Sequence, residues 1–220
     1  MKKRTYTLIG LLLALALILP SVPYAQDLKP VPLPKPQTEG GRPLMQVLKD
    51  RQTIREYSPK PLSPQMMADL LWAAWGINRA DSGRRTAPSS VNKQEIDLYV
   101  ATGEGLFLYD AKGNSLIPVS AKDIRALTGM QPYAKESPVS LIFVADYSKV
   151  TGTTDEERGM NAMADTGFIS QNVYLFCASE GLATGVRARI DRQVLAKEMK
   201  LRANQRITLA QSVGFPKGKN

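Results

Sequence analysis

Val139-Ser140-Leu141-Ile142-Phe143-Val144-Ala145-Asp146-Tyr147 has no polar face until its last two residues. A strand with one wet side alternates, whereas a strand covered on both sides reads as a continuous apolar run. This segment is therefore the central strand of a covered sheet. Upstream, Ile96–Ala101 and Leu106–Tyr109 read as a hairpin around the Gly103–Gly105 turn, with Ser115–Val119 as a third strand. Downstream, Asp165–Glu180 carries the longest helical pattern. Phe168, Ile169, Val173, Phe176 and Cys177 fall on one side, and Gly181 is its stop. Ile207–Phe215 is the last strand.

Further out the signals are local. Ser63-Pro64 is a helix start, with a capping hydroxyl and Pro at the first helical position, and the apolar stripe that follows ends at Gly76. Leu44–Lys49 is a short helix with Leu44, Val47 and Leu48 on one face. Ser120 with Asp123 predicts a cap opening a short helix to Leu127, closed by Gly129. Asp191 caps another helix, turning Val194, Leu195 and Met199 inward. Helices and strands mix without strict alternation, which predicts α+β rather than a doubly wound sheet.

The N-terminus follows a separate logic. Lys2, Lys3 and Arg4 precede an apolar run from Leu8 to Leu19, then Pro20, Ser21 and small residues up to Ala25. Basic, apolar, small is the order of a secretory signal peptide, and the run falls short of the roughly 20 residues of a membrane span. The expectation is an exported protein, periplasmic or secreted, with residues 1–25 as signal and no stable membrane insertion once it is cleaved. The alternative is a chain anchored by an uncleaved signal. Residues 26–43, with Pro30, Pro32, Pro34, Pro36 and Pro43, read as a Pro-rich arm or linker, and residues 44–220 as one domain.

Composition excludes several chemistries. The 220 residues contain no His, which removes Ser-His-Asp and Cys-His catalysis and nearly all His-based metal sites. The single Cys, Cys177, permits no internal disulfide and sits in an apolar run as a buried thiol. The net charge is +9, and losing Lys2, Lys3 and Arg4 with the signal leaves +6. Those charges are spread out, so nucleic acid is not expected as a partner, while an anion such as phosphate is a fitting use for a few of them.

Four stretches could carry chemistry. In Arg51-Gln52-Thr53-Ile54-Arg55-Glu56-Tyr57, two guanidinium groups could grip a phosphate with Thr53 adding a contact; a solvated charged turn is the plain alternative. In Arg84–Gln94, the cluster Pro88, Ser89, Ser90 and Asn92 makes a turn dense in small hydrogen-bonding groups, able to edge a polar ring. Gly181-Leu182-Ala183-Thr184-Gly185-Val186-Arg187 lets the backbone pass close to something flat, or is simply a helix stop leading into a strand. Gly214–Lys219 offers lysines to a phosphate, or is a frayed basic tail.

In their order and spacing these stretches resemble the nitroreductase family, and within it the branch of small flavin proteins close to the SagB-type oxidoreductases. The resemblance covers roughly Leu44 to Lys217. It is carried by RQTIREYSPKPLS (Arg51–Ser63), RTAPSSVNKQEIDLYV (Arg85–Val100), GLATGVRARID (Gly181–Asp191) and LAQSVGFPKG (Leu209–Gly218). It implies a nitroreductase-like α+β fold, a central mostly antiparallel sheet flanked by helices, in a homodimer holding FMN at the subunit interface. Arg51, Gln52, Thr53 and Arg55 match the phosphate-side motif. Pro88, Ser89, Ser90 and Asn92 match a loop that reaches the flavin from the other subunit. Gly185, Val186 and Arg187 match the segment whose backbone faces the reactive edge, and Lys217 matches a basic residue near the phosphate. Asp165, at the start of its helix, is a further cross-dimer candidate. The implied activity is FMN-dependent electron transfer through flavin N5 to a small acceptor (nitroaromatic, quinone or similar) in a ping-pong cycle. No catalytic side chain and no metal are implied. NAD(P)H is the candidate donor, although it is scarce outside the cytoplasm. The alternative is an exported flavin-binding or electron-transfer module without NAD(P)H-dependent turnover.

Overall fold

The computed structural model describes residues 29–218. The expected signal, residues 1–25, lies outside them. Within the described residues no helix is long and apolar enough to cross a membrane.

The chain runs β1 (Val31–Pro32), α1 (Leu44–Asp50), α2 (Pro64–Trp75), β2 (Ile77–Arg79), β3 (Arg84–Arg85), β4 (Ile96–Thr102), β5 (Gly105–Asp110), β6 (Ser115–Ser120), β7 (Val139–Asp146), α3 (Asp155–Glu180), β8 (Ala183–Arg187), α4 (Arg192–Glu198) and β9 (Gln205–Gly214). Seven strands form one sheet in the order β1-β6-β5-β4-β7-β9-β8, and β2 and β3 make a separate small hairpin. Every pairing in the large sheet is antiparallel. The α+β reading therefore holds.

All eight residues of β7 are buried, because both faces of the sheet are covered. Side chains alternate across a strand, so Leu141, Phe143 and Ala145 join a core beneath α2 and α3, while Ile142 and Val144 join a second core with Leu195 and Met199 of the α4 region. Two residues of β7 (Ile142 to Val144) span three of β9 (Ala210 to Ile207), a bulge that bends β9.

Local chemistry explains the helix ends. Ser63 accepts the Met66 N–H at 3.1 Å and Pro64 opens α2. Asp191 caps α4 by accepting the Val194 N–H. Gly181 ends α3 in the left-handed region at φ 70°.

Several sequence expectations are corrected. Asp165 does not open its helix. α3 starts ten residues earlier, at a capping box in which Thr154 and Glu157 satisfy each other's backbone N–H groups, so the polar stretch Thr151–Glu157 is that helix's entry. Ser120 and Asp123 do not cap an α-helix: Ser120 ends β6, and Asp123 accepts the Arg125 N–H to begin a single 3-10 turn, Arg125–Leu127. Of Leu44, Val47 and Leu48, only Val47 is buried, and Phe168 and Val194 are exposed rather than inward. The Pro-rich arm contributes β1 and lies along the surface, where Asn114 Nδ2 donates to the carbonyls of Leu33 and Pro34 and Asp69 accepts the Gln37 N–H.

Candidate functional site

Residues 51–58 leave α1 and run extended across one end of the sheet. Ile54 N–H donates to Thr184 O of β8, Lys217 N–H to Glu56 O, and Ser58 N–H to Phe215 O. These bonds bring Arg51, Thr53, Gly185, Val186 and the backbone of Lys217 into one neighbourhood. Glycine in β8 lets the 51–58 segment approach closely. A Cβ on Gly185 would meet Thr53 Cγ2 at 3.2 Å and lie 3.5 Å from the Tyr57 hydroxyl.

Tyr174 of α3 ties the cluster together, although the sequence alone does not single it out. Its hydroxyl accepts the Val186 N–H at 3.1 Å and lies 3.0 Å from Thr53 Oγ1. Either hydroxyl can donate in that pair; when Tyr174 donates, the Thr53 proton is left to point outward. The Arg51 guanidinium stacks over the Tyr174 ring with Cζ 5.4 Å from its centroid. Gln52, Arg55 and Lys217 are exposed. Among the described residues no ion pair engages Arg51, Arg55 or Lys217. The result is a ledge of unneutralised cations beside free donors, an arrangement suited to an anion.

Arg187 differs. It is 4% exposed. Its guanidinium donates to Thr128 O, Thr128 Oγ1, Ser140 Oγ and Ser212 Oγ, with Tyr133 against its face. Burial lowers its pKa from the ordinary arginine value. This side chain is spent on holding the 125–134 segment to the sheet, so only its backbone is available to a ligand. Burial likewise pushes the Tyr57 hydroxyl well above its ordinary range, with the nearby Ser212 side chain first and the Arg187 charge second pulling the other way. That hydroxyl is buried with no hydrogen-bond partner among the described residues, although it sits against Gly185. Tyr57 lies within a quoted motif, but its sequence gave no sign that it would be an orphan.

Pro88, Ser89, Ser90 and Asn92 are not part of this cluster within one protomer. Their loop is tied to Asp165 through the Ser90 N–H at 2.8 Å. Asp165 lies nine positions before Tyr174 on α3, about 13 Å along the axis. The loop is internally braced: Ser89 Oγ accepts the Gln94 N–H, Gln94 Nε2 donates to Asn92 Oδ1, and Arg85 Nε donates to Gln94 Oε1 while stacking on Trp75. Around the loop's anchor at Asp165, α3 shows solvent apolar side chains, Met160 and Met163 before it and Phe168 after it. Met160 is 69% exposed, Met163 43% and Phe168 49%. No cluster of His, Cys, Asp and Glu suited to a metal occurs among the described residues.

Comparison with known proteins bears on this geometry. The model of the nitroreductase family matches residues 48–215. A solved structure from Ralstonia eutropha JMP134, carrying a nitroreductase name, is 36% identical, covers 86% of this chain and 90% of its own, and superposes with a TM-score of 0.82. A Methanocaldococcus jannaschii protein, also with a nitroreductase name, is 28% identical over 162 residues, which is 69% of this chain and 81% of that protein. A Parabacteroides distasonis structure named NADH dehydrogenase/NAD(P)H nitroreductase shares the fold at 19% identity, covering 80% and 89% of the two chains with a TM-score of 0.56.

Proposed function

The chain belongs to the nitroreductase family, and from that premise we propose that it is an FMN-dependent oxidoreductase working as a homodimer on a small acceptor such as a quinone or nitroaromatic. The observation that carries the reading is the cationic ledge of Arg51, Arg55 and Lys217, which form no ion pair among the described residues, beside the close-approach backbone of Gly185 and Val186. The residues fit a flavin mononucleotide. A phosphate would take the guanidinium donors and the Thr53 hydroxyl. The buried Tyr57 hydroxyl lacks a partner, as a group aimed at a ligand would.

When bound, FMN supplies hydride acceptance and onward electron transfer. The protein's own groups act by placement. Arg51 is held flat on Tyr174, and Thr53 is oriented by the same tyrosine. Arg55 and Lys217 contribute positive charge, with Gln52 alongside them. Gly185, Val186 and Arg187 offer backbone, with Arg187 fixing the strand from below. Pro88, Ser89, Ser90 and Asn92 are assigned to the partner's cofactor, because they lie too far along α3 to reach their own. The exposed stripe of Met160, Met163 and Phe168 is the dimer face. Gly167 sits within it, and a Cβ there would meet nothing within 4 Å. Glycine costs a mid-helix position about 1 kcal/mol relative to alanine, and close approach of a partner helix accounts for it. Residues 1–25 support export of this protein to the periplasm or beyond.

The test is turnover of the FMN-loaded dimer with NADH or NADPH and an added quinone. Donor consumption that depends on acceptor, with parallel lines in double-reciprocal plots, is expected of a ping-pong cycle. Bound FMN with no donor oxidation would instead mean an electron-transfer module with another source of electrons.

A further inference from the structure

Beneath the 88–94 loop two carboxyl groups meet out of water. Glu95 is 1% exposed and Asp165 3%. Asp165 Oδ2 accepts the Ser90 N–H, whereas neither oxygen of Glu95 makes a hydrogen bond of good geometry among the described residues; its own backbone N–H and the Asp165 carboxyl are the polar groups that reach it. The Glu95 backbone is fixed, its carbonyl accepting the Asp146 N–H of β7 at 2.9 Å. The loop above is bent against its preferences. Val91, Asn92 and Gln94 have φ of 42°, 57° and 48°, and a β-branched residue in the left-handed region persists only where its surroundings hold it there.

Two adjacent carboxyls in such a place cannot both carry charge. Glu95, which receives nothing from the loop and only weak support from its own backbone N–H, is the natural holder of a proton, and a protonated Glu95 can donate to Asp165. Burial first, and Asp165 second, push the Glu95 carboxyl up to about 7. The titratable groups that face it are Asp165 from α3 and Lys149 from the turn after β7, the lysine pulling the other way. The carboxylate of neighbouring Asp146 is turned elsewhere, to Ser148, Asn204 and Arg202.

We propose that Glu95 is a positioning residue for the cofactor loop: the proton it shares with Asp165 latches residues 88–94 in their strained, binding-competent form, and loss of that proton releases them. The link to FMN rests on the assignment of this loop to the partner's cofactor; the latch itself does not. The sign follows from the raised pKa. The folded chain binds the extra proton between the ordinary glutamate range and about 7, so the latch is complete below that window and fails as pH climbs through its upper end.

Two readouts separate the claims. The first is the protection of the Ser90 amide against hydrogen exchange in FMN-free protein, corrected for intrinsic rate, from about pH 5.5 to 8.5, a range that brackets the titration. The second is the FMN dissociation constant, read from flavin fluorescence over the same range. In the wild type, Ser90 protection is expected to fall as pH passes 7, and FMN affinity to weaken about tenfold, the equivalent of one pKa unit. Glu95→Gln keeps a donor for Asp165 and cannot ionise, so both profiles should lose that step, leaving only the titration of FMN's own phosphate. Wild-type protection that is flat with pH, or a step that survives in Glu95→Gln, would overturn the latch. Protection that steps while FMN affinity does not would keep the latch and remove the loop from the cofactor site.

Discussion

Phe168→Glu is expected to turn the dimer into a monomer and to strip most of its FMN. Phe168, Met163 and Met160 occupy one exposed stripe of α3, spaced three to five residues apart on a helix whose other side packs into the core. In a two-fold dimer the same patch meets itself, so the substitution places two unpaired carboxylates in one apolar seam. An uncompensated buried charge costs about 3–5 kcal/mol, equivalent to a rise of more than a hundredfold in the dimer dissociation constant. Because the 88–92 loop is about 13 Å along α3 from Tyr174, a monomer would supply only one half of the cofactor's contacts. Sedimentation velocity at micromolar concentration, with flavin absorbance followed alongside protein, checks both parts. A variant that stays dimeric with full FMN would move the interface off α3. A monomer that keeps FMN would return the whole site to one protomer.

Arg51→Ala is expected to weaken FMN binding by about 1.5–3 kcal/mol, the usual worth of a charge-assisted contact, or roughly ten- to two-hundredfold in dissociation constant. The residue suits the test because its side chain packs on the Tyr174 ring and forms no ion pair among the described residues, while its backbone N–H, which caps α1 by donating to Val47 O, is untouched. Fold stability should change little. Titration of FMN into apoprotein, with the melting temperature measured in parallel, reads both. An unchanged dissociation constant would remove Arg51 from the phosphate side and leave Arg55 and Lys217 as the cations to examine.

Parts of the fold that bury apolar surface were legible from the amino-acid sequence. β7 announced itself because both its faces are covered, and the β4–β5 hairpin and the starts of α2 and α4 because their turns and caps use short-range chemistry. The first turns of α3 were not legible, because Met160 and Met163 face outward and leave no inward period to detect. The capping box at Thr154–Glu157 was the one available sign. For the site, the motif around Arg51 to Arg55 and the strand at Gly185 were readable as positions. Their organiser was not: Tyr174 lies off the apolar stripe of α3 and carries no signal until the fold brings α3 to β8. Arg187 shows the opposite failure, since a cation in a binding motif turned out to be consumed by buried hydroxyls that only the folded sheet assembles. Glu95 gave no signal, because its meaning depends on Asp165, far along the chain and brought close only by packing.

The most direct test of the central assignment is the absorption spectrum of the protein purified from its own compartment, followed by denaturation and identification of the released chromophore. Flavin bands and about one FMN released per protomer are expected. A colourless protein that also fails to take up added FMN would contradict it, leaving a nitroreductase fold whose cationic ledge serves some other anion.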